Sequence, residues 1–348
     1  MVISKKFWKG KKVLITGHTG FKGSWLSIIL NKLNVDLYGI SLRPKKNSLF
    51  KVLKINKIYK KNFYTNIKNF KKINKIIQKI NPDIIIHMAA QPIVRLSYDD
   101  PYETYYTNVI GTMNILETVR QNNLKTFSLI VTTDKVYRPN NQNIYKESDA
   151  LGGIDPYSSS KSCVEHLSLS YSKILNKKCK IVTVRAGNVI GGGDWSEDRI
   201  IPDIVRHIFE KRKLIIRNLE SIRPWQHVLD PLKGYLISIE KNYYKVGNYN
   251  VYNFGPKNEN QKKVLNIINY VNKNYQKINY QKINKKEFSE EKVLKLQNKF
   301  SKKNLNWYPK LNFSNSLMLT LDWYYEFYRN KKNIFEFTNK KISNFFNF

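Results

Sequence analysis

Residues 12–23 read KVLITGHTGFKG, and this stretch decides the predicted fold. An apolar strand over Lys12–Thr16 leads directly into a turn with glycine at positions 17, 20 and 23, and a helix is expected next. Glycines at this spacing permit a tight turn and a close backbone approach, while the helix N-terminus offers free N–H groups to a pyrophosphate. The pattern therefore predicts a dinucleotide-binding turn, with contacts from Gly17, Thr19, Gly20, Phe21 and Gly23.

The alternation of apolar strands with amphipathic helices continues through the first half of the chain. We expect further strands at 36–42, 62–65, 83–88, 127–133 and 180–186, and helices at 24–33, 69–80, 101–122 and 156–175. Such alternation predicts an α/β fold with a doubly wound parallel Rossmann sheet, covered by helices on both faces.

The pattern changes after residue 188, where the elements become shorter and more mixed. This change predicts a smaller C-terminal α/β substrate-binding lobe, with a helix at 314–328. We expect residues 1–187 with 228–253 to form the dinucleotide-binding Rossmann domain, because one excursion back to the sheet is predicted. Residues 188–227 with 254–348 would then form the lobe.

The chain is strongly basic: 61 Lys and Arg face 26 Asp and Glu, a formal net charge of +35 over 348 residues. The lysines are spread among Asn, Ile and Tyr, as in residues 274–284, which favours a compositional bias over a binding patch. We therefore expect no nucleic-acid partner, although a positive field favours an anionic substrate.

Two cysteines, Cys163 and Cys179, lack the spacing of a metal or redox motif, and no metal site is predicted. The first apolar run, residues 13–15, is far too short for a signal or membrane segment. These features predict a cytoplasmic protein with no membrane partner.

Tyr157 and Lys161 are the most informative candidate catalytic pair. Residues four apart share a helix face, so the lysine ammonium can stabilise a tyrosine phenolate and bind a cofactor ribose. Thr133, at the end of a predicted strand, adds a hydroxyl to this proton-handling group. The spacing alone also occurs by chance, and it is the combination with Thr133 and the glycine turn that indicates catalysis.

Asp134 and Lys135 follow Thr133 directly. Simple alcohol oxidation needs neither, so this extra acid and base predict proton transfer at neighbouring carbons in addition to a hydride step. A lysine acts as a base only when neutral, which requires burial and nearby cations such as Lys161. The alternative interpretation is a solvated strand end or a local ion pair.

Two further features concern the cofactor. Ala89, Ala90 and Gln91 follow the fourth strand and place small residues where a dinucleotide crosses the sheet edge. The second strand ends at Arg43, where an acidic residue normally binds the adenosine ribose. An arginine there favours a 2′-phosphate, so NADP is an alternative to NAD, although Arg43 can equally be solvated surface.

Longer strings carry a resemblance: TGHTGFKGSWL at 16–26, HMAAQP at 87–92, RAGNVIGGGDW at 185–195 and IRPWQHV at 222–228. Together with Thr133, Tyr157 and Lys161 they resemble the extended short-chain dehydrogenase/reductases, and among these the CDP-glucose 4,6-dehydratases. The resemblance runs from about residue 8 to 328 and is weakest at 45–79 and 257–286. Its most specific markers are the 222–228 string and the Asp134-Lys135 pair, where sister dehydratases typically carry Asp-Glu.

The resemblance implies conversion of CDP-D-glucose to CDP-4-keto-6-deoxy-D-glucose for deoxysugar biosynthesis, with NAD as the cofactor. Tyr157 would take the C4 hydroxyl proton while a hydride leaves C4. Lys135 would remove the C5 proton, Asp134 would protonate the departing C6 hydroxyl, and the hydride would then return to C6.

The resemblance also places Asn108 behind the catalytic lysine and Asn188 near the sugar diphosphate. Arg223 is the first candidate for the phosphates, because a guanidinium binds phosphate oxygens in bidentate fashion, and Arg199 and Arg217 come next. In relatives, the helices expected at 101–122 and 156–175 pack as a four-helix dimer interface. A homodimer or homotetramer is therefore expected.

Several segments depart from the family pattern or carry less information. Thr65-Asn66-Ile67 stands where an acid usually meets the adenine, and Ser289-Glu290-Glu291 where a histidine–glutamate pair is common. His87 is expected to be a core histidine and Trp225 a packing residue. Residues 272–304 are polar and lysine-rich and are predicted to be mobile. The tail after residue 328 is expected to be a surface appendage.

Two other functions remain open. Another nucleotide-sugar dehydratase, or an epimerase or reductase of the same superfamily, would share the Thr133, Tyr157 and Lys161 trio, and the last two would not need the Asp-Lys pair. A non-catalytic nucleotide- or nucleic-acid-binding protein could keep the same fold.

Overall fold

A computed structural model describes residues 2–140, 144–175, 179–245, 249–282 and 295–348. Its strands are β1 Lys12–Thr16, β2 Asp36–Ser41, β3 Lys61–Tyr64, β4 Ile84–His87, β5 Phe127–Val131, β6 Ile144–Tyr145, β7 Lys180–Ala186, β8 Val189–Ile190, β9 Ile215–Ile216, β10 Ile222–Pro224, β11 Gln226–His227, β12 Tyr249–Phe254, β13 Gln261–Lys263, β14 Gln281–Lys282 and β15 Lys295–Leu296. Its α-helices are α1 Lys5–Trp8, α2 Phe21–Lys32, α3 Leu49–Val52, α4 Phe70–Ile80, α5 Val94–Asp99, α6 Pro101–Tyr105, α7 Gly111–Gln121, α8 Pro156–Ile174, α9 Ile200–Glu210, α10 Leu229–Asn242, α11 Val264–Asn274, α12 Lys299–Leu305, α13 Phe313–Arg329 and α14 Ile334–Phe346.

The central sheet is parallel and has seven strands in the order β12-β7-β5-β4-β1-β2-β3. The strand order reverses between β1 and β4, where Thr16 pairs with His87. The residues of β4 and β5 are all buried, as expected for strands covered on both faces. The prediction of a doubly wound parallel sheet is therefore confirmed, and its switch point lies at the carboxyl ends of β1 and β4.

The strand predicted to extend to residue 133 ends earlier, at Val131. Thr133 instead caps a short 3₁₀ turn, Asp134–Val136, and its side chain accepts a hydrogen bond from the Lys135 N–H. A β-strand alternates its side chains between two faces, whereas this turn brings consecutive side chains together at the sheet edge. The early end of β5 thus gives the candidate catalytic residues their placement.

The long helix expected over 101–122 is interrupted. A π-helical turn, Tyr106–Ile110, separates α6 from α7 and contains the buried Asn108. Such turns insert one extra residue into a helix and often mark functional sites. The helix at 156–175 was placed correctly: Asp155 caps α8 by accepting a hydrogen bond from the Ser158 N–H, and Pro156 stands in its first turn.

The chain returns to the sheet after the segment that contains β10 and β11. Helix α10 leads to β12, which pairs in parallel with β7 from Tyr249↔Ile181 to Phe254↔Ala186. The predicted return of the chain to the central sheet within residues 228–253 is therefore present, as the pairing of β12 with β7. The domain boundaries drawn from it remain a prediction.

The C-terminal tail was predicted wrongly as a surface appendage. Helix α14 packs on α13, and the buried residues Ile334, Ile342, Phe345 and Phe346 join the main hydrophobic core. Trp323 Nε1 donates a hydrogen bond to Thr338 Oγ1 at 2.8 Å. The apolar positions of the tail follow a helical repeat that covers aromatic side chains of α13.

Within the described ranges, no helix is long and apolar enough to cross a membrane. No group of three or more His, Cys, Asp or Glu side chains there could hold a metal ion. The predicted mobile segment 272–304 and the Ser289-Glu290-Glu291 departure fall wholly or partly on 283–294, outside the described residues.

Candidate active site

A cleft of about 1840 Å³ opens where the strand order of the sheet reverses. Ligands of open α/β sheets bind at this place, outside the carboxyl ends of the strands. The predicted residues that line the cleft are Gly17, Thr19, Gly20, Phe21, Gly23, Ala89, Ala90, Thr133, Lys135, Tyr157, Lys161, Asn188, Arg199, Arg217 and Arg223. Four others lie behind or beside the lining: Arg43, Gln91, Asn108 and Asp134.

The turn after β1 fits a dinucleotide pyrophosphate. Gly17 has a φ of +74°, and a Cβ there would lie 2.8 Å from the Ala89 backbone nitrogen. A Cβ on Gly23 would clash with the Gly17 carbonyl oxygen. Gly20 caps α2 without a side-chain hydrogen bond, so the N–H groups of the first turn are available to an anion.

The end of β2 lacks the acidic residue that normally binds the adenosine ribose at this position. Ser41 and Thr19 are joined by a hydroxyl–hydroxyl hydrogen bond of 2.6 Å. The exposed Arg43 guanidinium lies over the Tyr64 ring, 5.4 Å from its centroid. This edge of the cleft, near Thr65 and Asn66, therefore offers hydroxyls, amides and a cation to a bound ligand.

Thr133 lies beside residues predicted for both chemical steps, namely Tyr157 for the oxidation and Asp134 for the elimination. Its Oγ1 donates a hydrogen bond to Asp134 Oδ1 at 3.0 Å. Burial raises the pKa of the Tyr157 phenol to about 12, and the neighbouring Thr133 hydroxyl opposes this effect only in part. In this structure the tyrosine is therefore protonated at neutral pH, and any phenolate requires additional positive charge.

The Lys161 side chain extends from the same helix as Tyr157 to the end of β5. Its Nζ donates a hydrogen bond to the Val131 carbonyl oxygen at 3.2 Å. Burial and the neighbouring Lys22 ammonium lower the pKa of Lys161 to about 8, against the opposing charge of Glu165. The Lys161 ammonium thus lies at the edge of the sheet, and the Glu165 carboxylate only partly offsets the effect of burial and of Lys22 on its pKa.

Lys22 is a functional candidate that sequence reasoning missed. It lines the cleft from the first turn of α2, and burial and the Arg199 guanidinium lower its pKa to about 8. The carboxylate of Asp134 has the opposite effect. Within the described part of the chain, the Lys22 ammonium makes no hydrogen bond or ion pair. The only signal for it in the sequence was its position between Gly20 and Gly23 of the glycine turn.

Asp134 is buried directly behind the cleft wall. Burial raises its pKa, while the Lys135 ammonium and the Thr133 hydrogen bond lower it. Lys135 itself is half-buried and lines the cleft. A carboxyl whose pKa is raised by burial can hold a proton and donate it, which is the property a general acid needs.

Asn108 and Gln91 support the site from behind. Asn108 Oδ1 accepts a hydrogen bond from the Gln91 N–H at 2.8 Å, and Asn108 Nδ2 donates to Ser160 Oγ at 2.9 Å. These bonds tie the loop after β4 to α8, next to Lys161. The two residues therefore position the loop that carries Ala89 and Ala90.

The predicted phosphate-binding arginines lie on one wall of the cleft, and two of them already pair with carboxylates. Arg199 Nη1 lies 3.2 Å from Asp194 Oδ2, and Arg217 pairs with Asp198. Arg223 Nη1 donates to the Ile222 carbonyl oxygen at 3.1 Å. Further cations that reasoning from the sequence did not single out also line this wall, namely Arg206, Arg212 and Lys213.

A buried ion pair holds the strand ends beneath the site. Arg185 Nε donates to Glu165 Oε1 at 2.9 Å, and Arg185 Nη1 donates to the Tyr137 hydroxyl at 2.8 Å. Thr132 Oγ1 donates to the same carboxylate at 2.5 Å. The pair therefore fixes both ends of the turn that carries Asp134.

His87 and Trp225 were predicted to be a core histidine and a packing residue, and both are buried. His87 is buried between the hydroxyls of Thr16 and Thr112, at 2.7 and 3.0 Å, and burial lowers its pKa to about 3. Trp225 is buried, and its Nε1 donates to the Lys262 carbonyl oxygen at 2.8 Å. Both are structural residues, although Trp225 also reaches the cleft wall.

The family described as GDP-mannose 4,6 dehydratase matches residues 14–320 of the chain. This chain belongs to that family. Among individual members of the dehydratase group, CDP-glucose 4,6-dehydratase of Salmonella typhimurium is 39% identical to it over 336 residues, covering 93% of both chains. The human dTDP-D-glucose 4,6-dehydratase is 27% identical over 344 residues, again covering 93% of both.

Solved structures support the fold assigned to this GDP-mannose 4,6-dehydratase family member. UDP-glucose 4-epimerase from Stenotrophomonas maltophila, with bound NAD and formylated UDP-arabinopyranose, superposes with a TM-score of 0.80 at 16% identity, covering 92% of this chain and 99% of that one. UDP-glucose 4-epimerase from Thermotoga maritima, with UDP-glucose, has a TM-score of 0.76 at 21% identity, covering 90% and 99%. At these identities the likeness concerns the fold alone.

Membership of the GDP-mannose 4,6-dehydratase family confirms the predicted superfamily and an enzyme of the nucleotide-sugar dehydratase type. It counts against the alternative of a non-catalytic nucleotide- or nucleic-acid-binding protein. The roles of the individual site residues remain predictions.

Proposed function

We propose that this chain is a CDP-glucose 4,6-dehydratase, which converts CDP-D-glucose to CDP-4-keto-6-deoxy-D-glucose. The observation that carries the proposal is the hydrogen bond by which Thr133 joins Asp134, while Thr133 also contacts Tyr157. Groups for oxidation and groups for elimination thereby share one site. The full-length relative of that name, at 39% identity, supports the choice of sugar nucleotide.

Each catalytic residue has a role that follows from its chemistry. Tyr157, oriented by Thr133, accepts the proton of the C4 hydroxyl. The resulting C4 ketone acidifies the C5 hydrogen, which Lys135 removes from the cleft wall. Asp134, which burial helps to keep protonated, protonates the C6 hydroxyl as it leaves as water.

The cofactor we propose is NAD, with NADP as the alternative. When bound, it supplies the acceptor for the hydrogen at C4 and the donor that restores hydrogen at C6. The chain contributes the glycine turn at Gly17, Gly20 and Gly23 for the pyrophosphate, with contacts from Thr19 and Phe21 beside it. The Lys22 ammonium of α2 is close enough to lower the pKa of Lys161. Lys161 is proposed to bind the ribose of the cofactor.

The sugar diphosphate would lie along the arginine wall. Arg223, Arg199 and Arg217 offer guanidinium groups that suit phosphate oxygens, with Asn188 beside them in the cleft lining. We also propose a homodimer or homotetramer in the cytoplasm. Exposed Tyr102, Tyr105 and Tyr106 lie on the helices expected to associate, which supports self-association.

A second candidate is a dehydratase acting on another nucleotide sugar. The description of the matching family names GDP-mannose as the sugar nucleotide, and another relative is named as a dTDP-D-glucose 4,6-dehydratase. Because arginines recognise the diphosphate shared by all these substrates, the cations alone do not select the base.

The test is incubation of the purified protein with CDP-, UDP- and dTDP-glucose and with GDP-mannose, followed by identification of any 4-keto-6-deoxy product. Product from CDP-glucose at the highest kcat/KM is expected. Asp134→Asn separates a dehydratase from an epimerase, since an epimerase would lose little rate, whereas a dehydratase would lose roughly 100-fold or more. Absence of product with every sugar nucleotide would refute the proposal.

A further inference from the structure

Glu165 is a buried carboxylate for which the proposed dehydratase reaction has no direct use. It lies one turn after Lys161 and two turns after Tyr157, so the three side chains lie along one side of α8. Glu165 is only 1% exposed. A charge buried so deeply is costly unless it is paired and hydrogen-bonded. Its partners therefore show what the carboxylate holds in place.

The Glu165 carboxylate binds side chains from the end of β5 and from the neighbouring β7. Thr132 Oγ1 donates to Oε1 at 2.5 Å, and Thr183 Oγ1 donates to Oε2 at 2.8 Å. Arg185 Nε and Nη2 donate to the same two oxygens at 2.9 and 3.0 Å, and the Tyr249 hydroxyl donates to Oε2 at 3.3 Å. Burial acts to raise the pKa of Glu165, but the Arg185 charge and these hydrogen bonds hold the pKa below its usual value. The carboxylate is therefore ionised at neutral pH.

Of the two threonines, only Thr132 is next to candidate catalytic residues in the sequence. Thr133 follows it directly and begins the turn that contains Asp134. On the other side, the Val131 carbonyl oxygen accepts a hydrogen bond from Lys161 Nζ at 3.2 Å. That bond comes from a side chain proposed to bind the cofactor, whereas the bond from Thr132 to α8 has no competing task.

The other end of the turn is held independently. Ser162 Oγ of α8 donates to the Val136 carbonyl oxygen at 2.8 Å, and Arg185 Nη1 donates to the Tyr137 hydroxyl at 2.8 Å. With the Thr132 side chain at the start, these bonds fix residues 133–136 against α8 at both ends. The start of the turn, which carries Asp134, depends on Thr132.

We propose that Thr132 is a positioning residue for the elimination step: its hydrogen bond to Glu165 holds the turn at residues 133–136 against α8. This role rests on the proposed dehydratase reaction. There, oxidation at C4 uses Tyr157 of α8, whereas elimination at C5 and C6 uses Asp134 and Lys135 of the turn. One bound sugar must meet both sets of groups, and a displacement of about 1 Å can cost roughly 100-fold in rate.

The test compares Thr132→Val with its matched control Thr183→Val, since each removes one hydroxyl hydrogen bond to the same carboxylate at similar volume. The backbone N–H of Thr132 keeps its bond to the Val184 carbonyl oxygen in both variants. We expect the urea midpoint of unfolding to fall to a similar extent in both. Only Thr132→Val should lower kcat for the 4-keto-6-deoxy product, roughly 10- to 100-fold, with KM unchanged and reduced nicotinamide accumulating during turnover. Thr132→Ser, which keeps the hydroxyl, should restore kcat.

Amide hydrogen exchange adds a readout that needs no turnover. Exchange at residues 133–137 should be faster in Thr132→Val than in Thr183→Val or the wild type. Thr132→Ala repeats the measurements if the valine variant does not fold.

Equal losses of kcat in the two valine variants, in proportion to their losses of stability, would make Thr132 a purely structural residue and overturn the proposal. A raised KM without accumulation of reduced nicotinamide would mean that Thr132 contacts the substrate, and it would overturn the proposal as well. If the wild type forms no 4-keto product, the proposed function fails, and the exchange comparison alone decides whether Thr132 fixes the turn.

Discussion

The Asp134 carboxylate packs directly against the backbone of Gly187. A Cβ at position 187 would lie 2.8 Å from Asp134 Oδ2 and 3.3 Å from Pro224 Cγ. The acid proposed for the elimination step therefore has its place because residue 187 lacks a side chain. Pro224 belongs to the string at 222–228, so a part of the sequence remote from Asp134 closes the same contact.

Gly187→Ala is expected to displace the Asp134 carboxylate and impair elimination more than oxidation. The variant should lower kcat at least tenfold while the reduced cofactor accumulates during turnover, since Tyr157 and Thr133 remain in place. Absorbance of the reduced nicotinamide and product analysis measure both steps. Gly10→Ala is the control, because no atom lies within 4 Å of a Cβ there and its left-handed φ of +73° affects stability alone. Equal losses in both steps of Gly187→Ala would contradict this view.

Arg185 and Glu165 form a buried pair whose disruption should be costly. Arg185→Met leaves the Glu165 carboxylate buried without its cation, and we expect the free energy of unfolding to fall by about 3–5 kcal/mol. Urea unfolding measures the loss. The exposed pair Arg120 and Glu117, at 2.6 Å, provides the matched control, and Arg120→Met should cost about 1 kcal/mol or less. Similar losses for the two variants would show that burial of the pair does not matter.

Three buried histidines predict that the fold loses stability in acid. Burial lowers the pKa of His18 to about 4 and those of His87 and His227 to about 3. The unfolded chain binds these protons near pH 6.5, so stability is complete above that pH and declines as pH falls towards 4. At pH 5 each histidine contributes a loss of about 2 kcal/mol.

Asp230 acts in the opposite direction, because burial raises its pKa to about 6 and its contribution is favourable below the pKa of the unfolded chain. Burial also raises the pKa values of Asp134, Glu147, Asp203 and Glu240, which act with Asp230, but the three histidines, at about 2 kcal/mol each at pH 5, are expected to outweigh these carboxyls. Urea unfolding between pH 5 and 8 should therefore show a net decrease towards pH 5. His87→Gln should reduce the loss at pH 5 by about 2 kcal/mol, whereas the exposed His166→Gln should leave the profile unchanged. A flat profile in the wild type would refute the expectation.

Arg43 should influence the choice between NAD and NADP. Arg43→Asp introduces a carboxylate that can bind the ribose hydroxyls and repel a 2′-phosphate. We expect the ratio of NAD to NADP affinity to rise roughly tenfold or more, as befits a charged hydrogen bond gained or lost. Fluorescence or calorimetric titration with each dinucleotide measures the ratio. Lys46→Asp makes the same charge change at a nearby exposed position. An equal shift in both variants would mean that Arg43 acts only through net charge.

The sequence predicted those parts of the molecule that depend on local pattern. β1 and β7 were placed at their observed bounds, and Gly17, Gly20 and Gly23 form the expected turn, because period and glycine spacing are local properties. Lys22 was missed because only the tertiary fold brings the first turn of α2 beside Asp134 and Arg199.

Other differences have the same cause. The Lys161 side chain shares a helix face with Tyr157, yet its hydrogen bond goes to Val131, a strand residue whose position no helical spacing specifies. The tail was misjudged since its partners on α13 are recognised only once the helices pack. Prediction from the sequence succeeded for individual helices and strands. It failed for contacts that depend on how two segments distant in the sequence pack together.

The family match ends at residue 320, inside α13, yet the wall of the cleft depends on residues nearer the C-terminus. Trp323, which Thr338 of α14 holds by a hydrogen bond, occupies the space beside Gly192, and Trp25 Nε1 donates to the Gly192 carbonyl oxygen at 3.0 Å. Gly192 stands between the cleft-lining residues Gly191 and Asp194. Residues of α14, which lie beyond the matched range, therefore help to support the backbone of the cleft wall, although none of them lines the cleft.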